Sequence, residues 1–332
     1  MSLFKKVSFL VIATLLLFAL TECSFWKKDR DTLRVSEVTR SIFYAPFYAA
    51  ISQGFFEDEG VQIELSTAWG GDKAMTALLS DGADISLVGA ETSIYVYSQK
   101  AADPAITFAA LTQTDGTFLV SREKRASFSW DDLKESTFLG QRKGGMPQMV
   151  GEHVLKKHGI DPHNDLDLIQ TIDFGNIPSA FASGTGDFVQ LFEPQATLFE
   201  NEGIGHVIAS FGTESGTVPY TGFLAKKSMI EENAEMLERF TRALYKAQQW
   251  IQDQQADVVA EAIHDFFEDT PVELISQVVD RYQSQGSYAT SPLVNREAWD
   301  NLQLIMDQAG ELPQPVDYGV LVNTSIAESV MK

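Results

Sequence analysis

From Leu33 onward the hydrophobic period of the chain keeps changing. Val61, Ile63 and Leu65 alternate with Gln62 and Glu64, the two-residue period of a half-buried strand. Apolar runs at Leu33–Val38 and Ile85–Val88 predict two further strands. Between these runs stand helix signals. Pro46 opens a helix where its missing N–H is not needed, and Gly54 closes it; Gly70 and Gly71 turn the chain, and Asp72 is the expected N-cap of a helix over Lys73–Ser80. A second series starts at Ser129, a candidate N-cap. It has strands over Thr137–Gly140, Leu166–Thr171 and Phe188–Phe192, a helix with Pro147 near its start, a helix from Pro178 to Gly184, and one opened by Pro194. Strand and helix periods that alternate in this way predict an α/β architecture.

The two series echo each other. Ser80–Glu91 and Ser183–Glu193 both read as a helix end with Gly, then Asp, then a strand, then Glu at a strand-to-helix junction, although seven residues separate Asp84 from Glu91 and six separate Asp187 from Glu193. From Ser228 the pattern is purely helical, with Met236, Phe240, Ala243, Leu244, Ala247, Trp250 and Ile251 on one face. Ser228 with Glu231, and Thr270 with Glu273, have capping-box spacing, the second with Pro271 at the first helical position. A helical run after the last strand must pack on a lobe already built, and the first lobe is the expected one.

The amino terminus has a different pattern. Lys5 and Lys6 precede the apolar run Val7–Leu20, the layout of a secretory signal peptide and too short for a membrane span of about 20 residues. Leu20-Thr21-Glu22-Cys23 resembles the lipobox of bacterial lipoproteins, except that Glu22 stands where a small residue is usual. That resemblance implies residues 1–22 as signal peptide, Cys23 as the lipidated first residue, residues 23–31 as a tether, and a diacylglyceryl anchor in the membrane.

Cys23 is the only cysteine among 332 residues, which excludes an internal disulfide and a multi-thiolate metal cluster. Removing the first 22 of 332 residues leaves 310, a length that should split into two lobes. The formal charge is −21, and −22 once Lys5, Lys6 and Glu22 are removed, which argues against nucleic acid as a partner. None of His153, His158, His163, His206 and His264 forms an i, i+4 metal-binding pair, and no G-x-S-x-G elbow supplies a nucleophile. No catalytic residue, metal or cofactor is therefore expected. The Gly144-Gly145 loop lacks both nucleotide-binding glycine spacings.

The segment Tyr44-Ala45-Pro46-Phe47-Tyr48-Ala49-Ala50, followed by Gly54-Phe55-Phe56-Glu57-Asp58-Glu59-Gly60-Val61, resembles the sulfonate, nitrate and thiamin-precursor binding proteins of ABC importers. The resemblance continues through Asp81-Gly82-Ala83-Asp84-Ile85, Gly89-Ala90-Glu91 and Leu155–Pro162. Gly144–Met149 and Gln190–Ala196 look most like the formylaminopyrimidine-binding proteins. The resemblance implies the type II periplasmic-binding-protein fold: two lobes joined by two crossovers, with a membrane permease and its ATPase as partners. The expected lobes are 32–117 with 218–332, and 118–217, hinged near Thr114–Val120 and Thr217–Leu224. The expected state is a monomer on the extracellular face of the cell membrane.

In such sheets small ligands lie beyond the carboxyl ends of the strands. The residues expected there are Val38, Thr39, Tyr44, Trp69, Glu91, Thr92, Gly144, Gly145, Phe174, Asn176 and Glu193, with Tyr220 in the second crossover. Aromatic faces and carboxylates suit a planar aminopyrimidine. Glu91 and Glu193 also sit where helices begin, so the helix dipole alone accounts for a carboxylate at either place. A sulfonate, taurine or nitrate ligand would instead need Arg40, or Arg142 with Lys143. The pyrimidine synthases that share the resembled fold are the enzyme alternative, but they use a cysteine cluster that this sequence lacks.

Overall fold

The computed structural model describes residues 31–332. The signal peptide, Cys23 and nearly all of the tether lie outside the described residues. The strands are β1 (Asp31–Glu37), β2 (Val61–Thr67), β3 (Ile85–Val88), β4 (Ala105–Thr112), β5 (Thr117–Ser121), β6 (Thr137–Leu139), β7 (Asp167–Ile169), β8 (Phe188–Phe192), β9 (His206–Ser210) and β10 (Thr221–Lys226). They form two five-stranded sheets, ordered β2-β1-β3-β10-β4 and β7-β6-β8-β5-β9. The helices used below are α1 (Ala45–Ser52), α2 (Gly71–Leu79), α3 (Glu91–Ser98), α4 (Met146–Lys157), α5 (Gln195–Glu202), α6 (Ala234–Asp253), α7 (Val272–Ser284) and α8 (Arg296–Gln308). This is the two-sheet α/β fold of periplasmic binding proteins.

The direction of the strands positions the cleft. β1 runs parallel to β2 and β3, and β6 parallel to β7 and β8, whereas β10 and β5 are antiparallel to their neighbours. Each reversed strand is the one the chain has just carried over from the other sheet. A reversed strand begins where its parallel neighbours end: Gly222 pairs with Val88, and Thr117 with Phe192. Both crossovers therefore lie at the carboxyl ends of the parallel strands, the side on which such sheets hold ligands.

The sequence echo has a structural counterpart. Arg34 N–H donates to Asp84 Oδ2 at 2.9 Å, and Thr137 N–H donates to Asp187 Oδ2 at 2.9 Å. In each lobe an aspartate just ahead of a strand ties it to its parallel neighbour. Glu91 and Glu193 then follow at the far ends of those strands.

The predicted helical face is present in α6, where Leu237, Phe240, Ala243, Leu244, Ala247 and Ile251 are buried and Met236 and Trp250 flank them half-buried. Phe240 packs on Phe223 and Phe56, each with ring centroids 5.0 Å away. α6 returns to the first lobe, against α1. The remaining carboxyl-terminal helices go further than expected. α7 touches both the turn Ile42–Tyr44 and α5 of the second lobe, and α8 touches α3 and α4.

Several local expectations need correction. Asp72 lies inside the first turn of α2, whose N-cap is Gly70. Ser228 is inside the helix Lys227–Glu232 and donates its hydroxyl to Asp103, so it forms no box with Glu231. The N-cap of α7 is Pro271 and no side chain caps it, so Thr270 and Glu273 make no box. Ser129 does form a capping box, with Asp132. β4, β5, β9 and β10 were not foreseen as strands; β4 is buried at every residue and so shows no alternation. The hinge segments were drawn too long, because Thr117–Val120 belong to β5 and Thr221–Leu224 to β10.

Candidate functional site

Several contacts join the lobes at the carboxyl ends of the strands. Arg142 lies 3.9 Å from Asp72 and 3.8 Å from Asp173. The Tyr95 hydroxyl reaches Met149 Sδ at 3.7 Å. The Phe43 ring stands 6.3 Å from that of Phe192, and the Glu91 carboxylate meets the backbone N–H of Met146. Phe43 comes this close because Gly116, in the first crossover, has no side chain: a Cβ there would lie 2.8 Å from the ring.

An aromatic series runs through this seam. Phe174 meets Phe192 edge-on at 5.7 Å, Phe192 faces Phe43, and Phe43 packs on Tyr220 at 5.7 Å and Tyr282 at 4.9 Å. Tyr44 and Tyr220 are buried and Phe174 is 43% exposed. Trp69 is 67% exposed and held at φ 58°, a left-handed conformation that a bulky side chain rarely adopts. Gly70 N–H donates to Val38 O at 3.0 Å, which fixes the Trp69 loop beside the end of β1. Packing does not account for a strained backbone under an aromatic side chain so exposed.

Glu91 is 5% exposed, and its Oε2 has no hydrogen-bond partner among the described residues. Burial pushes its carboxyl up to about 8, opposed by the backbone N–H groups of Glu91 and Met146. Gly89 permits this pose, since a Cβ there would lie 2.0 Å from Oε2. A second acid, Asp115, sits in the first crossover. Burial raises it to about 6, opposed by Thr117, whose N–H donates to Oδ1 at 2.6 Å. Asp115 Oδ2 and the Tyr220 hydroxyl neighbour each other without forming a well-directed hydrogen bond. Burial raises the Tyr220 hydroxyl, and the charges of Asp115 and Glu91 add to it.

The Gly144-Gly145 loop is pinned from both sides. Gly144 N–H donates to Gln148 Oε1 at 3.0 Å, and Gln190 Nε2 donates to Pro147 O and to Thr117 Oγ1, both at 2.8 Å. Gln141 Nε2 donates to Gln190 O at 2.7 Å. This glutamine network fixes the start of α4, and with it the Met146 amide.

Other expected residues are placed differently. Glu193 does not offer its carboxylate to the cleft. One oxygen accepts from Thr197 Oγ1 at 2.9 Å and from Arg281 at 2.8 Å, the other from Thr197 N–H at 2.9 Å. Burial raises the Glu193 carboxyl, and Arg281 opposes the rise. It is therefore a clasp between the second lobe and α7. Thr92 Oγ1 donates to Gly89 O at 2.6 Å and supports the turn under Glu91. Thr39 is half-buried at the end of β1, and Asn176 is exposed on the Phe174 turn. Two of the three cations of the anion alternative are engaged. Arg40 pairs with buried Glu37 at 2.9 Å and lies over the Tyr48 and Phe266 rings, and Arg142 stands between two aspartates. His158 stacks on Trp130 and bonds Glu214 at 2.9 Å, so it has a structural place.

Sequence reasoning missed Asp115, Gln190, Arg281 and Tyr282. An Asp-Gly pair in the first crossover signalled Asp115; nothing local signals Arg281, whose partner is 88 residues away. Two surface concavities, one around Lys156, Gly159 and His163 and one around Thr213, Asp280 and Arg281, contain none of the expected site residues. No group of three or more His, Cys, Asp or Glu among the described residues is arranged to hold a metal, and no described helix is long and apolar enough to cross a membrane.

Residues 38–264 match the NMT1-like family. The Bacillus subtilis (strain 168) protein named "Putative binding protein YtlA" is 59% identical over 318 residues, covering 95% of this chain and 94% of that one. The periplasmic aliphatic sulphonate binding protein SsuA from Escherichia coli superposes with a TM-score of 0.71 at 16% identity, covering 88% of this chain and 97% of that one. The periplasmic nitrate-binding protein NrtA from Synechocystis PCC 6803 gives 0.69 at 15% identity, covering 90% and 88%. At such identities the two structures speak to the fold alone.

Proposed function

The chain belongs to the NMT1-like family, and from that membership we propose that it is the solute-binding component of an ABC importer, taking a thiamin-precursor pyrimidine of the formylaminopyrimidine class. One observation carries the choice of ligand: Glu91 presents an unpartnered, buried oxygen at a seam walled by Phe43, Tyr44, Phe174, Phe192 and Tyr220. A planar heterocycle stacks on such rings and donates an exocyclic N–H to the oxygen. The protein binds and releases; it performs no chemistry. A ligand touching both lobes favours their closure, and the closed form delivers it to the permease and its ATPase.

We also propose that the protein acts as a monomer, held on the outer face of the cell membrane through Cys23. A Cys23→Ser variant should leave the membrane fraction, and retention there would contradict the anchor.

A thermal-shift panel of formylaminopyrimidine, hydroxymethylpyrimidine, thiamin, taurine, alkanesulfonates and nitrate tests the ligand. Ligand at 100 times Kd stabilises by about 2.7 kcal/mol, enough to raise the melting temperature clearly. The sulfonate- and nitrate-binding neighbours make a small anion the competing reading. Stabilisation by the anions and not by the pyrimidines would decide for it.

A further inference from the structure

Three features meet at Glu91. Its side chain folds back over the β3–α3 turn, a pose that Gly89 allows because any Cβ at that position would strike the carboxylate. The carboxylate faces two backbone N–H groups, its own at the start of α3 and that of Met146 at the start of α4 across the seam. Pro147 removes the next amide of α4, so Met146 supplies the outermost N–H of that helix. Amides at two helix starts, in a buried place, are what a small anion needs. Here the protein's own acid stands there.

We propose that Glu91 is the specificity-determining residue of the cleft: its carboxyl group fills the amide-lined gap between the starts of α3 and α4, the place a small anion would take. It thereby excludes sulfonate- and nitrate-like ligands and leaves Oε2 unpartnered for ligands that bring an N–H. This rests on the reading of the seam as the ligand site. It adds a reason why one fold takes anions in some proteins and a heterocycle here. The amides that would receive an anion are present, and one side chain decides whether they are open.

The experiment is calorimetric titration of the mature chain and of Glu91→Ala with hydroxymethylpyrimidine and with ethanesulfonate. Glu91→Ser opens the same gap, keeps a hydroxyl for the first turn of α3, and serves if the alanine variant does not fold. The expected result is that the unsubstituted protein binds the pyrimidine and not the sulfonate. The variant loses tenfold or more in pyrimidine affinity and gains measurable ethanesulfonate binding. Ethanesulfonate bound with Glu91 in place overturns the proposal, as does a variant that gains no sulfonate binding, whatever happens to the pyrimidine. If the unsubstituted protein binds neither probe but the variant binds ethanesulfonate, the gap-filling role of Glu91 stands and the pyrimidine assignment fails.

Discussion

Replacing Glu91 by glutamine tests the electrostatics of the seam directly. The Glu91 carboxyl stands at about 8 in the folded protein against an ordinary value of 4.5. A carboxyl raised in this way supports the folded state while it is protonated. Its contribution is complete below about pH 4.5 and is lost as the pH rises through about 8. Each pH unit inside that window removes about 1.4 kcal/mol, so the unsubstituted protein should lose about 3 to 5 kcal/mol across it through this group alone. Glutamine does not titrate. It adds an offset of about 1 to 3 kcal/mol if its amide is poorly partnered, and that offset is the same at every pH. Urea unfolding of both proteins at pH 5, 6, 7 and 8 gives the difference in stability, in which all other titrations cancel. The difference should move in favour of Glu91→Gln by about 1.4 kcal/mol per unit. Parallel pH profiles would show that the carboxyl is not buried as described, and the reasoning about the gap would fail with it.

Other changes should act elsewhere in predictable directions. Arg281→Met leaves the wholly buried Glu193 carboxylate with Thr197 alone. It should cost about 1 to 3 kcal/mol in urea unfolding at pH 7, below the range for a fully buried pair because Arg281 is partly exposed. Made on a Glu193→Gln background, the same change should cost clearly less, and equal costs in both backgrounds would remove the clasp. Trp69→Ala should weaken ligand binding at least tenfold in titration calorimetry while leaving the melting temperature of the free protein unchanged, since the side chain is two-thirds exposed. Phe240→Ala empties a site packed by Phe47, Phe56, Phe108 and Phe223 and should cost about 3 to 5 kcal/mol, with ligand affinity unaltered once the variant is folded.

The fold was legible wherever one side of an element faced water. β2 alternates cleanly and α6 carries an apolar stripe, so both announced themselves in the pattern of residues. β4 is buried on both faces and β5 and β10 are crossover strands, so none of the three shows a period. Sheet order, which places the cleft, depends on pairings across the chain that no local pattern records. The same division holds in the site. Glu91 and Trp69 could be selected because the end of a strand and a paired glycine are local signs. Glu193 was misjudged because its partner Arg281 arrives from a helix that pattern alone assigned to the other lobe.

The geometry of Glu91 also bears on how the lobes close. Separating α3 from α4 takes the Met146 amide away from the carboxylate and lets water reach it. Closure without a ligand therefore buries an acid whose Oε2 keeps no partner, and burying an unpaired polar oxygen is unfavourable. A ligand that donates an N–H to that oxygen offsets the cost, so closure becomes coupled to the right ligand through a single atom. An apolar side chain of similar size carries no such cost. Glu91→Leu should close with or without ligand, whereas the unsubstituted protein should be measurably more expanded when free. Small-angle X-ray scattering reads this as the change in radius of gyration on adding hydroxymethylpyrimidine, present in the unsubstituted protein and absent in the variant. The same contraction in both would mean that the aromatic walls, and not the carboxylate, govern closure.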